Sequence, residues 1–398
     1  MPDGRDAIAI RLVERIADIP AAEWDACARG GTSAYNPFVS HTFLSALEES
    51  GSATAKSGWQ PYHLTIEDSD GRLYGALPTY VKNHSQGEYV FDHGWAEAFE
   101  AAGGRYYPKL QASVPFTPVT GPRLMVRPGP DRQDDQRYLA TALGELARLH
   151  KVSSAHVTFA QEDEWRILSD LGYLRRTDQQ FHWIDEGYGD FDGFLASLAS
   201  RKRKAIRKER RDALASGLEI TQITGSDISE AHWDVFFGFY MDTGSRKWGR
   251  PYLNRRFFSL LGERLANRVL LIMAKRDGHT IAGALNLIGS DTLYGRYWGC
   301  LEDHPCLHFE VCYYQAIEFA LANGLARVEA GAQGAHKLAR GYMPVTTYSA
   351  HYIADSGFRQ AVEDYLERER QHVAFENQAL SQQGPFRKSG GLDHESVT

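Results

Sequence analysis

The sequence predicts an α+β protein built as two similar tandem lobes, with a single large α+β domain as the plainer alternative. Three observations carry this. At 398 residues the chain is longer than one ordinary hydrophobic core accommodates. Stretches with period-two alternation and stretches with helical spacing follow one another along most of its length. The order of elements (helices, an antiparallel meander, a helix, then further strands) also runs through twice, with residues 60–82 corresponding in kind to 269–298. The boundary is expected at 185/186, giving lobes 1–185 and 186–380 and a loose polar tail over 381–398.

Taken in order, Ile8–Val13 alternates as an opening strand, and Ile19–Cys27 sets Trp24 and Cys27 one helical turn apart. Tyr62–Ile66 and Arg72–Lys82 read as strands joined by the Asp68–Gly71 turn, where Gly after Asp is a hairpin signal. Leu139, Leu143, Leu146 and Leu149 place a helix over Gln133–Lys151. A strand at His156–Phe159, a helix at Glu162–Leu171 closed by Gly172, and an extended Leu174–Ile184 complete the first lobe. The second opens on a helix over Phe191–Ala215 ended by Gly217, then a strand at Ile220–Ile223 and helices at Ser229–Thr243 and Arg255–Asn267. Val269–Lys275, His279–Ile288 and Thr292–Trp298 form a meander turning at Asp277-Gly278 and Gly289–Asp291. A helix at Phe309–Asn323 capped by Gly324, strands at Arg327–Glu329 and Tyr348–Ile353, and a helix over Phe358–Leu380 close the chain.

Composition excludes several classes. Hydrophobic residues at 43% and charged residues at 24% are those of a folded globular protein. A net charge of −7 means that any polyanion must be held by a local patch. No apolar run is long enough to span a bilayer, and residues 1–20 carry acids where a signal peptide would be apolar. Four cysteines in 398 residues fit a reducing compartment with free thiols, so the cytoplasm is the expected location. Cys300, Cys306 and Cys312, with His304 and His308 between them, are spaced too widely for a structural zinc site, and no metal is expected. Nucleophile-elbow, P-loop and dinucleotide fingerprints are all missing.

Two segments concentrate chemistry. In Arg201–Arg211, eight of eleven residues are basic, against the acidic background of the whole chain. As a helix, the segment packs down along a narrow stripe with Leu195, Leu198, Ile206 and Ala213. It projects Arg201, Lys204, Arg207, Lys208 and Arg211 outward. Like charges on neighbouring turns repel, and a polyanion relieves that cost while releasing counterions. A solvated face is the plainer reading of the same residues. The second segment, Gly331–Pro344, follows a strand and combines glycines with His336, Lys337, Arg340 and Tyr342; Tyr348 and His351 lie just beyond. Acyl transfer needs such donors at a developing oxyanion, and an imidazole or phenol to relay the amine proton. A structural Gly-Pro loop accounts for the same composition, and His351 alone reads as a packed strand residue. A third stretch, Tyr107–Gly121, has no clear period; with Asp92, His93, Trp95, Tyr106 and Lys109 it is either a packed connector or the wall of a cleft.

Lys109–Gly121, Arg201–Arg211 and Gly331–Pro344 followed by Tyr348–His351 together resemble the FemAB-like proteins, N-acyltransferases of the GNAT superfamily related to the peptidyltransferases that add amino acids to cell-wall peptides. The resemblance runs from about Ile8 to Leu380. It implies two tandem GNAT-like lobes, each a mixed, mostly antiparallel sheet flanked by helices, an activated donor (aminoacyl-tRNA or acyl-CoA) and an amine acceptor. It also implies a second-lobe loop matching Lys337, Arg340, Gly341 and Tyr342, whose cations stabilise the oxyanion and leaving group. Gly299–Phe309 stands where GNAT enzymes carry a glycine-rich pyrophosphate loop, yet has one glycine and two acids.

The expected activity is transfer of an acyl or aminoacyl group to an amine, with Lys337, Arg340 and Tyr342 as catalytic residues. Arg201, Lys204, Arg207, Lys208, Arg211, Lys109, His336 and His351 are the expected substrate-binding residues. No tightly bound cofactor is expected; acyl-CoA or aminoacyl-tRNA serves as co-substrate, and tRNA is a partner on the second alternative. The rival expectation is a non-catalytic binding protein that uses the basic helix 201–211.

Overall fold

The computed structural model describes residues 9–31, 34–68, 70–215, 217–247, 251–332 and 334–387. The strands of the first half are β1 (Ala9–Val13), β2 (Trp59–Pro61), β3 (His63–Glu67), β4 (Leu73–Leu77), β5 (Thr79–Lys82), β6 (Lys109–Ala112), β7 (Met125–Val126), β8 (Ser154–Ala160) and β9 (Leu174–Ile184). Those of the second half are β10 (Glu219–Thr224), β11 (Val269–Arg276), β12 (His279–Ile288), β13 (Thr292–Cys300), β14 (Arg327–Ala332) and β15 (Met343–Ile353). They build a small sheet ordered β1-β3-β4-β7 and a sheet of eleven ordered β10-β11-β12-β13-β14-β9-β15-β8-β6-β5-β2. The fold is α+β, with a mixed, mostly antiparallel sheet flanked by helices.

Among the described residues only two strand pairs are parallel, one in each half: β6 with β8 and β13 with β14. Each is linked by a helix, Arg132–Leu149 in the first half and residues 307–322 in the second. The last strand of each half then crosses over. β9 pairs with β14, β15 pairs with β8, and β9 and β15 pair with each other over Met343–His351. The large sheet therefore runs unbroken past residues 185 and 186. The long helix Ser356–Gln382 packs across β9 and β15 at this junction. Among the described residues, no helix is long and apolar enough to cross a membrane.

Several elements differ from expectation for local reasons. Residues 72–82 are two strands in two sheets, divided at Pro78, which has no amide to donate to a ladder. Residues 191–215 are two helices, Phe191–Ser197 and Ser200–Leu214. Leu198 between them is extended and fully buried, and bridges to Phe386. That bridge, with the Ala199 amide donating to the Pro385 carbonyl at 2.9 Å, shows that the start of the expected loose tail is anchored. Residues 388–398 lie outside the described ones. The 307–322 helix opens with a turn at Leu307–Phe309 and a π-type segment at Glu310–Tyr314 before becoming regular. Lys109–Ala112, within the stretch that shows no period, is a buried strand with no exposed face to alternate against.

Because β9 pairs only with β14 and β15, and β8 has β15 on one side, residues 1–185 alone leave β9 with no strand partner and β8 with one open edge. A fragment of residues 1–185 is expected to show no cooperative thermal unfolding by circular dichroism, whereas the full chain melts as a folded protein. A sharp transition in the fragment contradicts this.

Candidate active site

β13 and β14 stay paired only from Thr292 to Tyr294 against Arg327 to Glu329, and then part. Both strands bulge at this level. Arg296 is an extra residue on β13, since Leu285 opposes Tyr297 while Asn286 opposes Gly295. β14 takes three steps from Glu329 to Ala332 while β9 takes two, with Gly331 in the left-handed region at φ 73°. Bulges redirect strands, and here two of them open a gap in the sheet. The gap leads into a cavity of about 560 Å³, a size suited to a small-molecule ligand. Gly295–Trp298 and Ala330–Gly331 form opposite walls. His308, Cys312 and Tyr313 line it from the irregular helix, Gly334, His336 and Lys337 from the loop after β14, and Tyr89, Phe91, Phe116 and Pro118 from the first half. Three non-glycine residues with left-handed backbone sit around it: Tyr89 (φ 62°), Phe116 (φ 64°) and Cys306 (φ 60°), which caps the helix carrying His308. Such conformations concentrate where function constrains the chain.

Lys337 stands at the gap. Its Nζ donates to the Ala330 carbonyl at 2.8 Å and the Gly331 carbonyl at 3.0 Å, on the strand that has left its neighbour. Burial, reinforced by the charge of Arg296, pulls its pKa down to about 8. His336 is exposed at the loop surface, and its Nε2 hydrogen-bonds the Tyr313 hydroxyl at 2.9 Å. Partial burial, then Arg340 and Lys337, hold its pKa below the usual histidine value, so the ring is neutral at pH 7. The ring lies over Gly334, where a Cβ would come within 2.6 Å of His336 Cε1 and displace the ring, and where a φ of 118° disfavours any side chain.

The other expected catalytic residues sit elsewhere. Arg340 donates to both carboxylate oxygens of Glu209 at 2.9 Å and to the His336 carbonyl at 2.7 Å, with its guanidinium 3.4 Å from the Phe309 ring centre. Every side of that group faces protein, and it does not line the cavity. Tyr342 is fully buried behind the loop, its hydroxyl directed at the Tyr313 carbonyl. Gln333 lies outside the described residues.

The remaining expected binding residues fall in two further places. Arg201, Lys204, Arg207, Lys208 and Arg211 are exposed along Ser200–Leu214, while Ile206 and Ala213 are buried beneath. Glu209 and Arg210 lock the helix inward, Arg210 to Glu310 at 2.8 Å and Glu318 at 2.6 Å. The helix packs against residues 307–314 and 335–340, behind the cavity wall. Lys109 and His351 belong to a buried cluster where β15 of the second half meets β8 of the first. Lys109 donates to Ser85 Oγ at 2.8 Å, to Glu88 at 2.7 Å and to Asp92. Burial works against its charge, but the two carboxylates outweigh burial and raise its pKa. Glu88, desolvated, is pushed up to about 7. His351 Nδ1 meets His156 Nδ1 at 2.6 Å, and burial holds both rings neutral.

His336 and Lys337 are thus brought together at the cavity, whereas Arg340, Tyr342, Lys109, His351 and the basic face are not. The cavity residues that escaped sequence reasoning are mainly Tyr89, Phe91, Arg296, His308, Cys312 and Tyr313. In the sequence His308 and Cys312 stand out only for metal spacing, and among the described residues no group of three metal-ligating side chains exists.

Residues 15–388 match the model of the FemAB-like family, described as peptidoglycan biosynthesis/recognition. The chain belongs to the FemAB-like family. No curated protein matches it. Among solved structures, FemX is similar at 12% identity, covering 89% of this chain and 100% of that one with a TM-score of 0.54. The C-terminal domain of a putative lysylphosphatidylglycerol synthetase from Agrobacterium fabrum is similar at 10% identity, with 87% and 96% covered and a TM-score of 0.51. A tandem GNAT protein from the clavulanic acid biosynthesis pathway aligns at 14% identity over 88% and 99% with a TM-score of 0.47. At such identities the first two share the fold of this FemAB-like chain.

The enclosure of Arg340 predicts a structural cost. Arg340→Met is expected to lower the unfolding free energy by about 2 kcal/mol, because Glu209, one quarter exposed, loses its cation and keeps only the Tyr314 hydroxyl. Arg340→Lys recovers part of it, lacking the two-pronged geometry. Urea denaturation at pH 7 checks both; an unchanged midpoint for Arg340→Met contradicts the placement.

Proposed function

We propose that this FemAB-like protein transfers an acyl or aminoacyl group from an activated donor to an amine, with the reacting carbonyl held in the gap between β13 and β14. The observation that carries the reading is Lys337: a buried ammonium, anchored by two main-chain carbonyls, at the edge of a cavity that also presents a neutral imidazole.

In the proposed reaction, the neutral amine attacks the donor carbonyl carbon. The carbonyl π electrons move onto oxygen, and the Lys337 ammonium, shielded from water, stabilises the resulting charge. His336 accepts the ammonium proton of the tetrahedral adduct through its ring, with Tyr313 fixing the other nitrogen. Collapse re-forms the carbonyl and breaks the bond to the leaving group, which departs with the bonding pair and takes up the proton held by His336, yielding the amide. Holding both reactants in one cavity supplies most of the remaining advantage. Arg340 and Tyr342 act by supporting the loop that carries Lys337 and His336. The exposed face of Ser200–Leu214 supplies cations for donor phosphates, which fits an aminoacyl-tRNA donor; acyl-CoA is the alternative donor.

Lys337→Met is expected to lower kcat/KM by about 100-fold or more without loss of folding. In the native protein the cation is present below pH 8, so the rate per unit of neutral acceptor amine is expected to fall with unit slope as pH rises through about 8. A rate so normalised that instead rises through that point, with the rise lost in Lys337→Met, assigns Lys337 the role of base and contradicts the cationic one. For the donor, tRNA binding by gel shift is expected to weaken steeply between 50 and 200 mM salt, on the order of 10³-fold for six phosphate contacts. Replacing Arg201, Lys204, Arg207, Lys208 and Arg211 together should abolish it. Stabilisation by acyl-CoA with no response to charged tRNA selects the other donor, and no response to either removes the transfer reading.

A further inference from the structure

The segment between β5 and the helix His93–Ala101 has no regular structure, yet its side chains alternate as strictly as a strand's. Glu88, Val90 and Asp92 are buried, while Tyr89 and Phe91 line the cavity. The main chain alone does not hold this arrangement. Tyr89 is left-handed at φ 62°, and Gly87 is at φ 80°, where a Cβ would meet the Phe116 ring at 2.7 Å. The fixing points lie underneath. Lys109, at the start of β6 and with its side chain fully enclosed, holds Glu88 at 2.7 Å and Asp92 by a short contact. Lys82, on β5, lies 3.8 Å from Glu88, donates to the Gln86 carbonyl at 3.3 Å and stacks on Trp59. From the other side, the Phe116 amide donates to the Gly87 carbonyl at 3.1 Å, and Arg176 donates to the Phe91 carbonyl at 2.9 Å. A buried ammonium between two buried carboxylates has steep directional demands, since either acid left without it is a charge in a low-dielectric site.

We propose that Lys109 is a positioning residue: by clamping Glu88 and Asp92 beneath the segment, it turns Tyr89 and Phe91 onto the cavity and so sets ligand affinity without touching the ligand. This goes beyond the transfer reading and rests on it only for the kinetic readout. Lys109 acts through Tyr89, so the two residues are expected to be non-additive.

The test is a double-mutant cycle of Lys109→Met and Tyr89→Ala, read by 8-anilinonaphthalene-1-sulfonate fluorescence, a probe suited to an aromatic-lined cavity and independent of turnover. Each single variant is expected to weaken probe binding about tenfold, and the double variant no more than the worse single. Effects that multiply to about 100-fold, or a Lys109→Met variant that binds like the native protein, overturn the proposal. Circular dichroism melts establish that each variant is folded. Should Lys109→Met fail to fold, Glu88→Gln keeps the shape and the Lys109–Asp92 contact, and is expected to give about threefold in the same cycle. Where transfer activity is measurable, Lys109→Met should raise KM about tenfold and leave kcat within about threefold. A lost kcat with unchanged KM contradicts positioning. Absence of any transfer activity, with the probe cycle intact, removes the transfer reading and leaves Lys109 as assigned.

Discussion

The parting of β13 from β14 is the constraint on which the site depends. Parallel strands normally satisfy their main-chain groups in each other, so separating them leaves carbonyls that must be met in some other way. Here Ala330 and Gly331 are met by the Lys337 ammonium. One side chain thereby answers a main-chain need and places a positive charge at a cavity, with its pKa lowered to about 8 by the same enclosure. The bulge at Arg296, the left-handed Gly331 and the glycine under His336 all serve this opening.

The two halves handle their parallel pairs differently. Beside β13 and β14 there is a cavity. Beside β6 and β8 there is a buried network in which Lys109, Glu88, Asp92 and His156 face one another. The exchanged strand β15 joins the two regions, since it carries His351 into contact with His156 and follows directly from the loop bearing Lys337 and Arg340. The second half thus holds Lys337 and His336, while the first contributes the aromatic side of the same cavity through Tyr89, Phe91 and Phe116. A charge network that is silent in catalysis still has consequences for the site when it fixes the segment between.

Much of the fold was legible because local patterns agree with tertiary structure in the meander β11–β13, in β9, and in the helices Arg132–Leu149 and Glu162–Asp170. What was not legible lay in pairings between distant segments. Nothing near Leu198 reveals that Phe386 completes it, and nothing near Ile184 reveals that β9 crosses to β14. For the site, Lys337 and His336 stood out as donors after a strand. Arg340 carried the same signal, because a guanidinium that binds substrate and one that grips Glu209 are alike in sequence. Tyr89 and Phe91 gave no signal, since their role comes from residues buried beneath them. Lys109 stands out in the sequence for its setting among acids and aromatics, but its charge is answered internally by Glu88 and Asp92.

The most direct measurement is the titration of the Lys337 side chain by carbon-13 NMR of the Cε, assigned by comparison with Lys337→Met. A midpoint near pH 8 is predicted for the free protein. An upward shift is predicted when a tetrahedral, negatively charged phosphonate analogue of the donor carbonyl occupies the cavity. A midpoint at the ordinary lysine value of about 10.4, unmoved by that analogue, would show a solvated ammonium with no part in the reaction and contradict the account.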